Sequence, residues 1–230
     1  MGRTIEERAE EIRASLLADA RLGKHVSRQP IPKVHRGSEG VWLIILGQDP
    51  TTRKPSSGVP VTTVLDLDHH GSLRLYLTQI CGGLGIDLNQ HVYATNYLKN
   101  FFVKPPNEIR EIDVFEEFFS RWLPLLQEEL AEFPGVPVIT LGESLLKALV
   151  RGDASPCVRD YWGYTPRWNS GERSPFRFLK PSENRLGRVI FPFPHQPSTR
   201  KQFYRETFGD YVAFVRGNSG LKECSYPVRR

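Results

Sequence analysis

The sequence predicts an α/β domain of three layers, with helices on both faces of a central four-stranded parallel sheet. Three observations predict it. Four short apolar runs, residues 41–46 (VWLIIL), 91–95 (HVYAT), 136–141 (VPVITL) and 189–193 (VIFPF), are rich in β-branched and aromatic residues. The first and third are nearly continuous in apolarity, as strands buried on both faces must be. Each run is followed by a segment of helical periodicity, and a fourfold strand–helix alternation is the pattern of a parallel sheet covered on both sides.

The elements follow in order. Thr4 and Glu7 have capping-box spacing, and Ile5, Ala9, Ile12 and Leu16 recur at helical intervals, so the first 20 residues read as a helix. Residues 24–40 are polar and rich in Pro and Gly, which predicts an extended connector. The first strand ends at Gly47, and a Gly/Pro/Ser/Thr-rich loop runs to residue 65. A helix over 68–81 is expected, entered through Asp66 or Asp68 and left through Gly82-Gly83. After the second strand and a loop at Pro105-Pro106, residues 113–133 carry Val114, Phe118, Trp122, Leu125 and Leu126 along one side. Pro124 should kink or divide that helix. The third strand leads through Gly142 to a short helix bearing Leu145 and Leu149. Residues 151–186 read as irregular, and a last helix over 199–215 aligns Tyr204, Phe208, Tyr211 and Val215. The expected organisation is one domain over 1–216 and a polar, basic tail over 217–230.

Composition narrows the function. With 39% hydrophobic and 25% charged residues the chain is globular rather than disordered. No apolar run reaches the ~18 residues of a membrane span, and the first 20 residues lack the apolar core of a signal peptide. Three cysteines (Cys81, Cys157, Cys224) lie far apart without a C-x-x-C pair, which argues against a zinc or iron–sulfur site and fits a reducing cytoplasm. A net charge of +5 favours a polyanionic partner. The expected state is a monomer.

Parallel sheets bind ligands outside the carboxyl ends of their strands. Three strand ends here carry chemistry: Asp49 after the first, Asn96 after the second, His195 after the fourth. Singly, each has a bland reading. Asp49 could cap a turn, Asn96 could hold its own loop, and His195 could pack in the core. Together on one rim, the residues alone suggest a hydrolase or lyase site with a carboxylate and an imidazole.

The residues also carry a resemblance. Gly47-Gln48-Asp49-Pro50 resembles the water-activating motif of the uracil-DNA glycosylase superfamily. Thr95-Asn96-Tyr97-Leu98-Lys99 resembles its base-reading segment, and His195-Gln196-Pro197-Ser198 resembles its His-Pro-Ser motif. The three occur in the family's order within residues 41–215. The resemblance implies a divergent glycosylase that flips its target nucleotide out of the stack. Ionised Asp49 would stabilise an oxocarbenium sugar and orient water. His195, helped by backbone N–H groups near Gln48, would stabilise charge on the pyrimidine O2. Gln48 and Asn96 would line the base, with Asn96 on its Watson–Crick edge. Ser198, at the start of the last helix, would clamp a phosphate. Arg200 would fill the space left by the base, and Lys99, Lys201 and Arg53 read as phosphate contacts or solvated charges. No metal or redox cofactor is implied, and DNA is the implied partner.

Departures from the family pattern bear on the substrate. A Tyr that blocks 5-substituted bases is replaced by Thr51. The stacking Phe has no counterpart in Gly58-Val59-Pro60-Val61, where Val61 stands in its place, and the His-Pro-Ser motif is one residue longer. A pocket wider near the pyrimidine C5 follows, unless Tyr97, Phe101 or Trp162 supplies the missing ring. The expected substrate is therefore a bulky 5-substituted cytosine, for example glucosylated hydroxymethylcytosine in phage DNA, excised in host defence by a monofunctional enzyme. Uracil excision in base-excision repair is the alternative, and a non-catalytic DNA-binding module of the same fold is the second. Without paired carboxylates or a metal-ligand cluster, a phosphate-ester hydrolase is disfavoured.

Overall fold

A computed structural model of the chain describes residues 3–51, 61–152 and 155–221. The architecture is α/β, but the sheet has five strands and is mixed: β1 (His35–Arg36), β2 (Leu43–Gly47), β3 (Val92–Asn96), β4 (Val138–Leu141) and β5 (Ile190–Phe193), in the order β1-β3-β2-β4-β5. The four expected strands are present and mutually parallel. The fifth, β1, lies within the segment read as a connector and pairs antiparallel with β3 through His35 and Arg36. Two residues carry no usable period, yet they cover part of an edge whose backbone groups need partners.

Helix α1 (Ile5–Ala18) starts at the expected capping box, with the Thr4 side chain accepting from Glu7 N–H and the Glu7 carboxylate from Thr4 N–H. Helix α2 (Ser72–Leu84) departs from expectation at both ends. Leu65 and Asp66 have φ of 56° and 55°, outside right-handed helix, so Asp66 cannot lead into the helix and it begins after Gly71. It then runs through Gly82-Gly83 and stops at Gly85, whose φ of 79° forms the left-handed cap. Gly83 instead serves packing against α7 (Gln202–Asn218), since a Cβ there would lie 2.6 Å from Val212 Cγ1. Gly83→Leu should accordingly destabilise the fold by about 1–3 kcal/mol through overpacking, with Val212→Ala in the same chain restoring part of the loss in thermal unfolding.

Helix α3 (Leu88–His91) is capped by Asp87, and helix α4 (Val114–Ala131) by Asp113. Helix α4 is not divided by Pro124. That proline is exposed, so the carbonyl it leaves without an N–H partner lies on the solvated side of the helix, where water replaces the bond. Helices α5 (Glu143–Leu149) and α6 (Val158–Tyr161) are short. The irregular region is held by Trp162, which is fully buried, stacks on Tyr211 at 4.3 Å and donates its indole N–H to the Pro192 carbonyl at 2.8 Å. That bond fixes β5 just before His195. Among the described residues no helix is long and apolar enough to cross a membrane. Residues 222–230 of the expected tail, together with Arg53 and Gly58 to Pro60, lie outside the described residues.

Candidate active site

The register brings the predicted motifs to one rim. Gly47 is level with Asn96, Leu46 with Thr140, and Leu141 with Phe193, so the carboxyl ends of β3, β2, β4 and β5 finish side by side. Strand spacing puts the loop bearing Asp49 and the loop bearing His195 about 10 Å apart, two strands across. The loops after β2 and β3 are zipped together: Tyr97 N–H donates to Gly47 O, and Leu98 N–H to Gln48 O, both at 2.9 Å.

Asp49 is half-buried and held from two sides. Thr51 N–H donates to Oδ1 and the Gln48 side-chain amide to Oδ2, each at 2.8 Å. Burial pushes its carboxyl above the usual carboxylate range, and these hydrogen bonds oppose the shift. Gln48 thus positions Asp49 through its side-chain amide. Thr51 is also a clamp, because its Oγ1 accepts from Phe102 N–H at 2.8 Å. Thr51 is more than missing bulk, and its replacement would cost that bond.

Asn96 is 1% exposed, and neither atom of its amide has a hydrogen-bond partner among the described residues. Its neighbour Asn100, equally buried, has both: Oδ1 accepts from Trp122 Nε1 at 3.0 Å and Nδ2 donates to Phe101 O at 3.2 Å. A buried amide group left without a partner costs about 1–3 kcal/mol, so Asn96 carries an unmet hydrogen-bonding capacity that Asn100 does not. Gly47 is required beneath it, since a Cβ there would collide with Asn96 Oδ1 and come within 2.6 Å of Leu65 Cδ2.

His195 is exposed rather than packed in the core, yet the surrounding protein removes enough water to hold its pKa below the usual histidine value. The ring is therefore neutral at pH 7. Its loop is braced by Tyr76, whose hydroxyl donates to Pro194 O at 3.2 Å, and by Ser198 N–H, which donates to His195 O at 2.8 Å.

Several expected roles are corrected. Ser198 does not stand at the start of α7; residues 196–200 form a 3-10 turn, and α7 begins after Lys201. Gln196 opens this turn, and the Ser198 N–H is already engaged there. Arg200 and Lys201 are exposed at the end of the turn that follows His195. Lys99 does not face solvent. It is 5% exposed, and its ammonium donates to Glu129 Oε2 and, at 2.8 Å, to Thr95 Oγ1, while Tyr93 donates to Glu129 Oε1 at 2.7 Å. Glu129 was missed in the sequence. Its signal was a carboxylate on the apolar side of α4, one turn after Leu125, which demands a buried cation. Tyr97, Phe101 and Trp162 are all buried, so none stands free to replace the absent stacking ring; Val61 is half-buried.

A cavity of about 370 Å³ opens beside Asn96, between α1, residues 31–34 and the edge of β3. Asn96 and Thr95 belong to it; Asp49, Thr51, Val61 and His195 do not. Asp66, Asp68 and His69 group within 4.8 Å, but their side chains bond one another and Thr62, which accounts for the cluster without an ion. Cys81 is buried, with its thiol pushed up to about 12 by burial, and is no nucleophile. No family model matches the chain, and no curated protein matches it.

Proposed function

We propose that the protein is a monofunctional DNA glycosylase that hydrolyses the N-glycosidic bond of a flipped pyrimidine, with a bulky 5-substituted cytosine in phage DNA as substrate and host defence as its setting. The observation that carries this reading is Asn96, level with Gly47 two residues before Asp49, whose buried amide has neither its donor nor its acceptor paired among the described residues. A base edge supplies the complementary pair, and turning the amide end for end exchanges uracil for cytosine.

The C1′–N1 bond breaks with its electron pair leaving on the base. Asp49, ionised, faces the cationic sugar and directs water to C1′; the water's oxygen completes the abasic sugar, and its proton ends on the base. Neutral His195 donates a hydrogen bond to the pyrimidine O2 as charge builds there. Arg200 and Lys201, exposed at the end of the turn after His195, meet the DNA backbone. Uracil excision is the second reading, favoured by Thr51, whose hydroxyl is committed to Phe102 and so closes part of the expected gap.

The test is incubation with uracil-containing, unmodified and hypermodified phage DNA, followed by alkali to cleave abasic sites. Strand breaks confined to hypermodified DNA are the expected result; breaks confined to uracil DNA select the second reading, and none at all leaves a binding module. The lysine of the segment that resembles the base reader, Lys99, is tied to Glu129, so borohydride should trap no covalent adduct. A trapped adduct would overturn the monofunctional mechanism.

A further inference from the structure

We propose that Leu65 is the gate of Asn96: its side chain closes the amide, and its withdrawal admits the edge of the base. The inference rests on the reading of Asn96 as the residue that meets the base. Both atoms of the Asn96 amide are sealed from water as well as unpaired among the described residues. A base can therefore reach them only after a covering group moves. Gly47 identifies that group. A Cβ on Gly47 would collide with Asn96 Oδ1 and lie 2.6 Å from Leu65 Cδ2, so the amide oxygen and the leucine methyl flank the space of one missing methyl group. Gly47 ends β2 and leads directly into Gln48 and Asp49, so Leu65 and the amide meet at the end of the strand that carries the carboxylate.

The backbone under this leucine is strained. Leu65 has φ 56° and ψ 18°, Asp66 has φ 55°, and these two are the non-glycine residues with positive φ among the described residues. The left-handed region crowds a Cβ against the backbone, and a bulky apolar side chain has no local hydrogen bond to offset it. Asp66 has one, since its carboxylate pairs with His69 Nδ1 at 2.8 Å. The turn Val64–Asp66 packs on β3 and is tied on both sides of Leu65. Val64, buried, donates its N–H to Lys33 O at 2.9 Å, and Asp66 donates its N–H to Thr63 O at 3.1 Å. These ties hold Leu65 in place and give it fixed points to turn between. A strained residue and an orphaned amide thus meet at one place, and both are unfavourable in the closed form. One motion relieves both. Leu65 returns to negative φ, its Cα–Cβ bond swings away from Asn96, and the base takes up the amide's two hydrogen bonds. While the gate is shut the site does not bind, so the apparent affinity for the base falls with the fraction of molecules that are open.

The test removes the leucine side chain and watches the amide directly. In water-exchange NMR the side-chain NH2 of Asn96, assigned by its loss in Asn96→Asp, should exchange about tenfold or more slowly than that of exposed Asn169 in the wild-type protein. Leu65→Ala should raise the Asn96 rate about tenfold or more, and so should Leu65→Gly, which suits the positive φ and keeps the turn. Circular dichroism and thermal unfolding show that each variant is folded. Asn96 exchange unchanged in both folded variants would overturn the proposal. Excision is then followed at saturating and subsaturating oligonucleotide, with glucosylated 5-hydroxymethylcytosine and with uracil as the target base. For the base that the wild type releases, kcat/KM should rise by a factor of about three or more in both variants, because fewer molecules are closed, while kcat stays within about twofold. An unchanged or lower kcat/KM alongside fast Asn96 exchange overturns the gate and makes Leu65 a contact of the bound base. Fast exchange in the variants of a chain that releases neither base overturns the glycosylase reading and leaves Leu65 standing as the cover of Asn96.

Discussion

Replacing Asp49 by Asn is expected to slow base release by a factor on the order of 10² or more while the fold and DNA affinity persist. The carboxylate is the negative group at the rim positioned by two hydrogen bonds, and an amide in its place carries no charge to set against a cationic sugar. Single-turnover excision measures the loss, and a wild-type rate would remove Asp49 from the mechanism. The same substitution has a signed effect on stability. Burial raises the folded-state pKa of Asp49 above the unfolded value of about 3.9. Its protonated form is thus favoured by folding: the wild type is most favoured, relative to the variant, below pH ~4. It then loses ground as pH rises through the folded pKa. Asp49→Asn should therefore gain in melting temperature on the wild type between pH 4 and neutrality. A flat or falling difference would contradict the burial account. Excision should fall on the acid side at a pH above the ordinary carboxylate midpoint, where Asp49 takes up its proton. His195 should add no inflection above its usual value, because its pKa is lowered.

Lys99→Met is expected to cost about 3–5 kcal/mol, the usual penalty for removing one partner of a buried ion pair. Glu129 would keep only the Tyr93 hydroxyl in a site where both charged side chains are almost wholly buried. For a chain of this size the loss corresponds to a melting temperature roughly 6–20 °C lower. Adding Glu129→Gln removes the stranded charge and should recover most of it, so the double-mutant cycle reports strong coupling. A loss below about 1 kcal/mol would mean that water reaches the pair and that its energy is that of a surface contact.

These two residues also show how much of the site was legible in the sequence. Asp49 follows an apolar run that ends in glycine, and a strand's end is a local property, so its place on the rim could be read directly. Asn96 and His195 were legible on the same ground. Lys99 was not. A lysine after a strand looks like a surface cation until its partner is known, and that partner lies 30 residues on, in helix α4. Ser198 was misplaced because residues 196–200 form a 3-10 turn ahead of α7, and turn length decides where a helix can begin.

The sequence by itself determined the parallel core of the sheet, the capping box of α1 and the arrival of three chemical groups at one rim. Each follows from periodicity or end signals within about 20 residues of chain. Only the tertiary structure decided that β1 makes the sheet mixed, that Gly83 serves a helix contact, that the Asn96 amide has no partner among the described residues while that of Asn100 has, and that α1 walls a cavity beside it. All four depend on which atoms face each other across the core. Burial and hydrogen-bond satisfaction are properties of pairs brought together by folding, and no local pattern along the chain encodes them.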